Sequence, residues 1–496
     1  MKKVLSLLLV LAMLVPSLIA CQNTEQPDDT SDSTPVSDSV SDTETTAPEE
    51  AKPDLPNVTY DGETYAILAA AEQFIRKYYV ESEEIEGDIE KQSVYDRNAA
   101  VEGQYDVTLD YIVFNGYTAG MPIVGTALQD AISGSATYDL VVGMASYVTP
   151  HIVSGYFADL NDPDYHYINP TAPWYYKYVN ENLEINGSLY LASGSYGINA
   201  LSGSLVTFFN KQLLADNNLE DMYTLVRENK WTFDKMMEMA DIAKRDVNAD
   251  GAFTHDEDVF GVTTCYDYAA FLPNAFDYTY FSRNEEDTVV LTGVTDKFID
   301  INERMYNFAQ ADYYFDGYTV SGSAGTNMLN LFVNTQALFM LHTLGQSSGS
   351  AMRDMADYGI VPAPLYDEDQ SHYINPTVPD VLGVPSYVED IDFSCIIAEA
   401  LSYESMKLTT PAYLENALKE KYSRDPDTAE MVDLVIENAM TDFCYLYLRI
   451  LGLDILYQTG KQENYSSWAA SNHPAYEAKL ADLLKSVDDL QKAAGN

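Results

Sequence analysis

From residue 58 onward the chain alternates two hydrophobic rhythms. Val107, Leu109, Tyr111 and Val113 interleave with Asp106, Thr108, Asp110 and Ile112, the period of a half-buried strand. Leu140-Val141-Val142 is instead a continuous apolar run, as expected of a strand covered on both faces. Residues 126–132 between them are helical in pattern and suit a right-handed crossover. Strand-like runs recur at 65–68, 205–209, 260–263 and 337–341. Between the second and third of these, Phe233, Met236, Met237, Ala240 and Ala243 mark a helix with Thr232 as its N-cap. The pattern predicts α/β architecture repeated over more than one domain. The last hundred residues read as mainly helical. Asp427 and Glu430 there form a capping-box-like start before Met431, Val432, Val435 and Ile436. No fixed-period repeat occurs, which argues against a solenoid or propeller.

The first 57 residues follow different rules. Lys2 and Lys3 precede an apolar stretch over 4–19 that is too short and wrongly flanked for an ordinary membrane span. It ends in Leu18-Ile19-Ala20-Cys21, which resembles the lipobox of bacterial lipoproteins. That resemblance implies cleavage after residue 20 and lipidation of Cys21; the alternative is an ordinary secretory leader with a chance cysteine. From 22 to about 56 the chain is dominated by Ser, Thr, Pro, Asp and Glu, with nine acids and no base up to Glu50. Such a segment buries too little apolar surface to offset its ordering entropy, so a disordered spacer is expected over 21–57. No later segment has 18 uninterrupted apolar residues, so the lipid would be the only membrane attachment.

Composition narrows the functions. The chain has 496 residues, which suggests two or three domains at roughly 150 residues each. Its 27 Lys and Arg against 77 Asp and Glu leave a formal net charge of −50. Nucleic-acid binding needs a basic face to displace phosphate counterions, and an anionic membrane surface would repel such a chain. Solubility is the plainest account of the acidity. Beyond Cys21 the cysteines are Cys265, Cys395 and Cys444, without CxxC or His/Cys zinc spacing. Buried free thiols are expected, with one disulfide as the alternative.

One local motif carries chemistry. Residues 246–257 place Asp246, Asn248, Asp250 and Thr254 at positions 1, 3, 5 and 9 of a calcium-loop template. Gly251 falls at 6 for the sharp turn, Ala252 offers its carbonyl at 7, and Glu257 closes the sphere at 12. A strand, Val259-Phe260-Gly261-Val262, follows where a complete EF-hand has its second helix. A structural calcium ion is therefore expected, the alternative being an acidic turn without metal. Asp256 and Asp258 flank Glu257, and either is a further candidate ligand.

Several segments, in order, resemble bacterial extracellular solute-binding proteins of ABC importers, in the group that mostly takes up carbohydrates. They are Gly87-Asp88-Ile89 through Val94-Tyr95-Asp96-Arg97-Asn98, Tyr105-Asp106-Val107, and Pro173-Trp174. Ile185-Asn186-Gly187 with Leu189-Tyr190, Phe209-Asn210-Lys211, Lys230-Trp231-Thr232-Phe233 and Tyr358-Gly359-Ile360-Val361-Pro362 continue the series. The departure is Trp174-Tyr175-Tyr176, where the family pattern has a second Trp and an acid. The resemblance implies a bilobal, periplasmic-binding-protein-like (type II) fold. Lobe one would be 58–200 plus 346–403, and lobe two 201–345 plus 404–496, with Gly/Ser-rich crossings at 199–204 and 342–349. It further implies an ABC permease as partner, a position on the extracellular face of the membrane, a monomer and no catalysis.

Ligands of open α/β sheets bind beyond the carboxyl ends of the strands. That rule selects Glu72 after the first strand, Tyr147 after Val142, and Tyr266 and Asp267 after Thr263. Trp174 and Tyr196 join them as aromatic faces for a sugar ring, beside carboxylates for its hydroxyls. Trp231, just before a helix cap, reads as a packing residue, and His342 at a strand end as a buried histidine. Only nine Arg exist and none falls among these positions, so a neutral oligosaccharide fits best, a cationic solute or peptide next. Two other classes stay open: a secreted glycoside hydrolase, for which 77 acids make any carboxylate pair uninformative, and a calcium-dependent adhesion or scaffold module.

Overall fold

The computed structural model describes residues 51–70, 79–80, 88–113, 120–135, 138–165, 167–355, 357–415, 426–452 and 454–495. Cys21, the acidic spacer to residue 50, and Glu72 lie outside the described residues.

The first lobe is built on β1 (Glu63–Ala70), which pairs in parallel with β2 (Val107–Val113) on one side and β3 (Leu140–Met144) on the other. Tyr65, Ile67 and Leu68 are fully buried, as in a strand covered on both faces. Helix Ile89–Tyr105 makes the crossover from β1 to β2. Asp88 caps it by accepting from Lys91 N at 3.1 Å, and it stops at Asp106, which is left-handed at φ 50°.

The chain then leaves this sheet through helix Asn199–Ser202 and Gly203 and enters β4 (Leu205–Asn210). Next come helix Phe233–Ala243 and β5 (Phe260–Thr264). Thr232 caps the helix, its Oγ1 accepting from Lys235 N at 3.2 Å. A small hairpin, β6 (Phe281–Arg283) and β7 (Val289–Leu291), precedes helix Asp296–Ala309 and β8 (Tyr314–Asp316). β9 (Ala337–Thr343) and β10 (Tyr358–Pro362) complete a second sheet ordered β10-β4-β9-β5-β8, in which β5 is parallel to β9 and β8. The return follows through the short β11 (Asn375–Pro376) and then β12 (Asp380–Gly383), which adds antiparallel to β3. The first sheet is thus β12-β3-β1-β2. The two crossing segments are fastened side by side. Asn199 Nδ2 donates to Val378 O at 2.8 Å, and Thr377 Oγ1 donates to Ala200 O at 2.7 Å.

Two expected lobe boundaries are corrected. Residues 346–362 are expected in lobe one with the crossing at 342–349, yet β10 lies at the edge of lobe two's sheet, antiparallel to β4. The reason is a close fit at Gly359: a Cβ there would stand 2.3 Å from Phe209 Cε1, so only glycine lets β10 lie against that ring. The crossing falls instead between β10 and β12. Residues 404–496 were assigned wholly to lobe two, yet 405–415 continue helix Ile391–Glu404 against helix Ile89–Tyr105 of lobe one. Helix Pro426–Glu437 packs on β10 of lobe two, and β13 (Ala439–Met440) pairs with β11. The final helix, Tyr465–Ala494, touches both lobes. Near its start, the Tyr465 ring meets Phe298 edge-on at 4.7 Å. Near its end, Gln491 Nε2 donates to Asn186 O at 2.9 Å and to Ser188 Oγ at 2.8 Å. Cys265, Cys395 and Cys444 are free and buried, and burial pushes the first two thiols up to about 12.

Candidate ligand cleft

β5 lies inside lobe two's sheet, between β9 and β8, and ends at Thr264, so its carboxyl end points the next residues toward the crossing segments. Cys265 precedes a short turn of helix, Tyr266–Ala269, that presents Tyr266 and Asp267 together. Tyr266 stacks on Tyr318 with ring centroids 4.7 Å apart, and Tyr457 meets it edge-on at 5.6 Å. Lys461 Nζ stands 3.9 Å from the Tyr266 centroid. Asp267 accepts a hydrogen bond from the Tyr318 hydroxyl. Burial raises the Asp267 carboxyl above its usual range, opposed by that hydrogen bond and by Lys461. Asp316, at the end of β8, is raised by burial too, while the Tyr318 N–H it accepts at 2.9 Å lowers it.

Two cavities meet at this cluster. The first, about 470 Å³, lies between the lobes: Met144 at the end of β3, Asn199 and Gly203 of one crossing, and Val378 of the other face Asp267, Tyr268 and Tyr318. The second, about 880 Å³, is larger and lies wholly against lobe two, between Tyr266 and Lys461 at one end and Phe253 to His255 at the other. Tyr457 lines both. Among the described residues lining them, Lys461 is the only lysine or arginine.

Of the six cleft residues expected from the sequence, the structure brings Tyr266 and Asp267 together. Tyr147, Trp174 and Tyr196 are corrections. Tyr147 does follow β3, but its ring turns inward and carries Arg449 Cζ at 3.9 Å from the centroid. Trp174 is buried, donating from Nε1 to Glu399 Oε1 at 3.0 Å while Tyr175 donates to the other oxygen at 2.8 Å. Tyr196 is inside lobe one, its hydroxyl donating to Tyr111 at 3.1 Å under the Arg97 guanidinium. The polar tips of Trp174 and Tyr196 are thus satisfied in the core. His342 is buried as expected: its Nδ1 accepts from Thr343 N at 2.8 Å, and burial lowers it to about 4. Sequence reasoning missed Tyr318, Asp316, Tyr457 and Lys461. Asp316 was within reach of the strand-end rule, had Tyr314-Phe315 been read as a strand; the other three come from a loop and from the C-terminal segment, where no periodic signal points.

The 246–257 loop is shaped by its own oxygens. Gly251, at φ +85°, donates from N to Asp246 Oδ2 at 2.8 Å. Asn248 Oδ1 accepts from Asp250 N at 3.0 Å, and Asp250 Oδ1 from Ala252 N at 2.8 Å. A two-way bridge between Arg245 and Val259 closes the mouth. Asp258 is tied down by Val247 N and Thr254 N, at 2.8 and 2.7 Å, and these donors hold its carboxyl below the usual range. Asp258 therefore braces the loop from behind. Among the described residues no three His, Cys, Asp or Glu side chains are gathered as a metal site. The amide of Asn248 instead bridges Asp250 Oδ2 and Glu257 Oε2, at 3.1 and 2.6 Å. The donor set nonetheless fits a calcium ion: Asp246 Oδ1 is a buried oxygen without a partner, and turning the Asn248 amide would present its oxygen to the same space.

Two α/β lobes joined by paired crossing segments, with a cavity between the ends of their sheets, define a bilobal binding protein. Residues 85–401 match the bacterial extracellular solute-binding proteins, and the chain belongs to that family. The enzyme and adhesion readings are set aside with it. Among solved structures it resembles the ABC substrate-binding protein of Listeria monocytogenes in complex with cycloalternan (TM-score 0.53, 14% identity, covering 87% of this chain and 99% of that one). It also resembles the cyclic α-maltosyl-1,6-maltose binding protein of Arthrobacter globiformis (0.56, 11%, 86% and 99%). A third is the galacto-N-biose/lacto-N-biose I-binding protein of Bifidobacterium longum with lacto-N-biose (0.52, 11%, 88% and 98%). No curated protein sequence matches the chain.

Proposed function

We propose that this chain is a lipid-anchored receptor, held at the extracellular face of the membrane through Cys21, that captures a neutral oligosaccharide between its lobes and delivers it to an ABC permease. The carrying observation is the cluster at the end of β5: stacked Tyr266 and Tyr318 beside Asp267, with no arginine among the described residues that line the cavity. Aromatic faces take the apolar side of a pyranose and carboxylates take its hydroxyls, whereas anionic ligands want guanidinium forks. The similar folds with cycloalternan and lacto-N-biose support the same ligand class. Ligand touching both lobes favours the closed state by its differential affinity.

A panel of neutral sugars tests this by thermal unfolding. A ligand at a hundred times its dissociation constant stabilises by about 2.7 kcal/mol, a rise of about 3 °C for a chain of this size. The sugar should be recovered intact. Asp267→Asn is expected to weaken binding about tenfold, roughly 1.4 kcal/mol. No shift with any sugar, or cleavage of the sugar, defeats the reading.

The 246–257 loop is proposed to hold a structural calcium ion through Asp246, Asn248, Asp250, the Ala252 carbonyl, Thr254 and Glu257. Bound there, the ion would cross-link helix Phe233–Ala243 to β5. Chelation is expected to lower the melting temperature by several degrees, and Glu257→Gln to make the protein indifferent to chelator. An identical melting temperature with and without chelator in the native chain rules it out.

A further inference from the structure

The larger cavity is not the one between the lobes. Its walls come from the 253–255 end of the acidic loop, the last turns of helix Asp296–Ala309, β8, the 319–321 loop and the 457–461 segment. All belong to lobe two: Tyr280 and Thr459 hydroxyls are hydrogen-bonded at 2.7 Å, and Gly460 N donates to Asn302 Oδ1 at 2.9 Å. Hinge motion therefore leaves this groove intact, whereas the smaller cavity is completed only when Met144 and Val378 face Asp267. The two spaces adjoin at one wall. Tyr457 lines both, and the stacked pair has Tyr266 in the groove and Tyr318, 48% exposed, in the cleft. The groove repeats the cleft's chemistry with Tyr266, Tyr314 and Phe253 as rings and Asp316, Thr319 and Gln310 as polar edges. Its volume of about 880 Å³ falls within the range of dedicated ligand sites.

We infer that the groove is a second compartment for the same ligand: an oligosaccharide longer than the cleft leaves it across Tyr318, Tyr266 and Tyr457 and lays its distal units along lobe two. This rests on the neutral-oligosaccharide reading above. Because the groove is lined by lobe two alone, it holds the distal end before the lobes close. Closure then becomes an intramolecular step at high effective concentration.

The test is calorimetry on the full folded chain with neutral glucan, mannan and xylan ladders, from disaccharide to octasaccharide. Affinity in at least one ladder is expected to keep rising after the cleft is filled, by about tenfold or more in total, at one ligand per protein. Ala309→Trp, at the half-buried end of helix Asp296–Ala309, fills the groove without touching the cleft. It should erase the gain while leaving the shortest binding member within about twofold of the native chain. Ser321→Trp, in an exposed loop, is the second blocker should the first fail to fold. Affinity that is flat beyond the cleft-filling length, or a gain that survives a folded blocker, overturns the groove while the sugar reading stands. If no ladder binds, the sugar reading fails and the groove with it.

Discussion

Trp231→Ala is expected to lower the unfolding free energy by about 3–5 kcal/mol, read as the shift in urea midpoint at constant slope. Trp231 has no exposed surface, and its ring tilts onto Phe339 of β9 at 5.2 Å. Its Nε1 donates to Pro362 O at 3.0 Å, and its own carbonyl accepts from Leu365 N at 3.0 Å. One side chain therefore joins the centre of lobe two's sheet to the strand at its edge. Alanine removes the ring and the indole donor to the Pro362 carbonyl, so transfer, cavity and hydrogen-bond losses fall together. A cost below about 1 kcal/mol would mean that the site collapses around the gap.

Stability is also expected to fall as pH rises from about 4 to about 7. Three buried carboxyls govern this. Burial raises Glu399 to about 7 against the donors Tyr175 and Trp174, Asp380 to about 7 against Tyr79, and Asp442 to about 6 against the N–H groups of Cys444 and Tyr280. Below about pH 4 both folded and unfolded chains keep these protons. Above it the unfolded chain releases them first and the folded chain still holds them, so each further rise favours unfolding until the folded values are passed. His342, lowered to about 4 by burial, acts in the opposite sense up to about pH 6.5, one group against three carboxyls; Glu430 and Asp489, lowered by Arg227 and Lys485, do so as exposed pairs of small worth. Denaturant midpoints near pH 5 should exceed those near pH 8, and Asp380→Asn, whose amide oxygen still accepts from Tyr79, should flatten the slope. Equal midpoints at the two pH values, or an unchanged slope in Asp380→Asn, would contradict the assignment.

Much of the scaffold could be read before any coordinates. The alternation at Val107–Val113 and the apolar runs that became β3, β4, β5 and β9 each report burial of a strand face, which is a local property. The Thr232 cap was legible for the same reason. Pairing is not local. Tyr358–Pro362 is equally apolar in either lobe, and its place beside β4 is decided by the Phe209 ring that fits over Gly359. At the cleft, the strand-end rule finds the right end of the sheet but not the direction of a side chain. Tyr266 and Tyr147 both follow strands; one faces the cavity, the other faces Arg449. Trp174 illustrates a further limit: its indole N–H suits a sugar hydroxyl as well as Glu399, and the partner that satisfied it lies 225 residues away.

The last helix changes what opening means for this molecule. Its 30 residues make a rod about 45 Å long, pinned by an aromatic contact at the lobe-two end and by polar contacts at Asn186 and Ser188 at the other. A stiff rod fixed at both ends acts as a stop, so the lobes can swing apart only as far as its weaker fastening stretches. The lobe-one end is held by more than hydrogen bonds, for Val487 is fully buried there and Leu490 lies against Gly155. Pro474 adds a bending point by removing one backbone donor within the rod. Any separation of the lobes thus has to carry this helix with it as well as the two crossing segments.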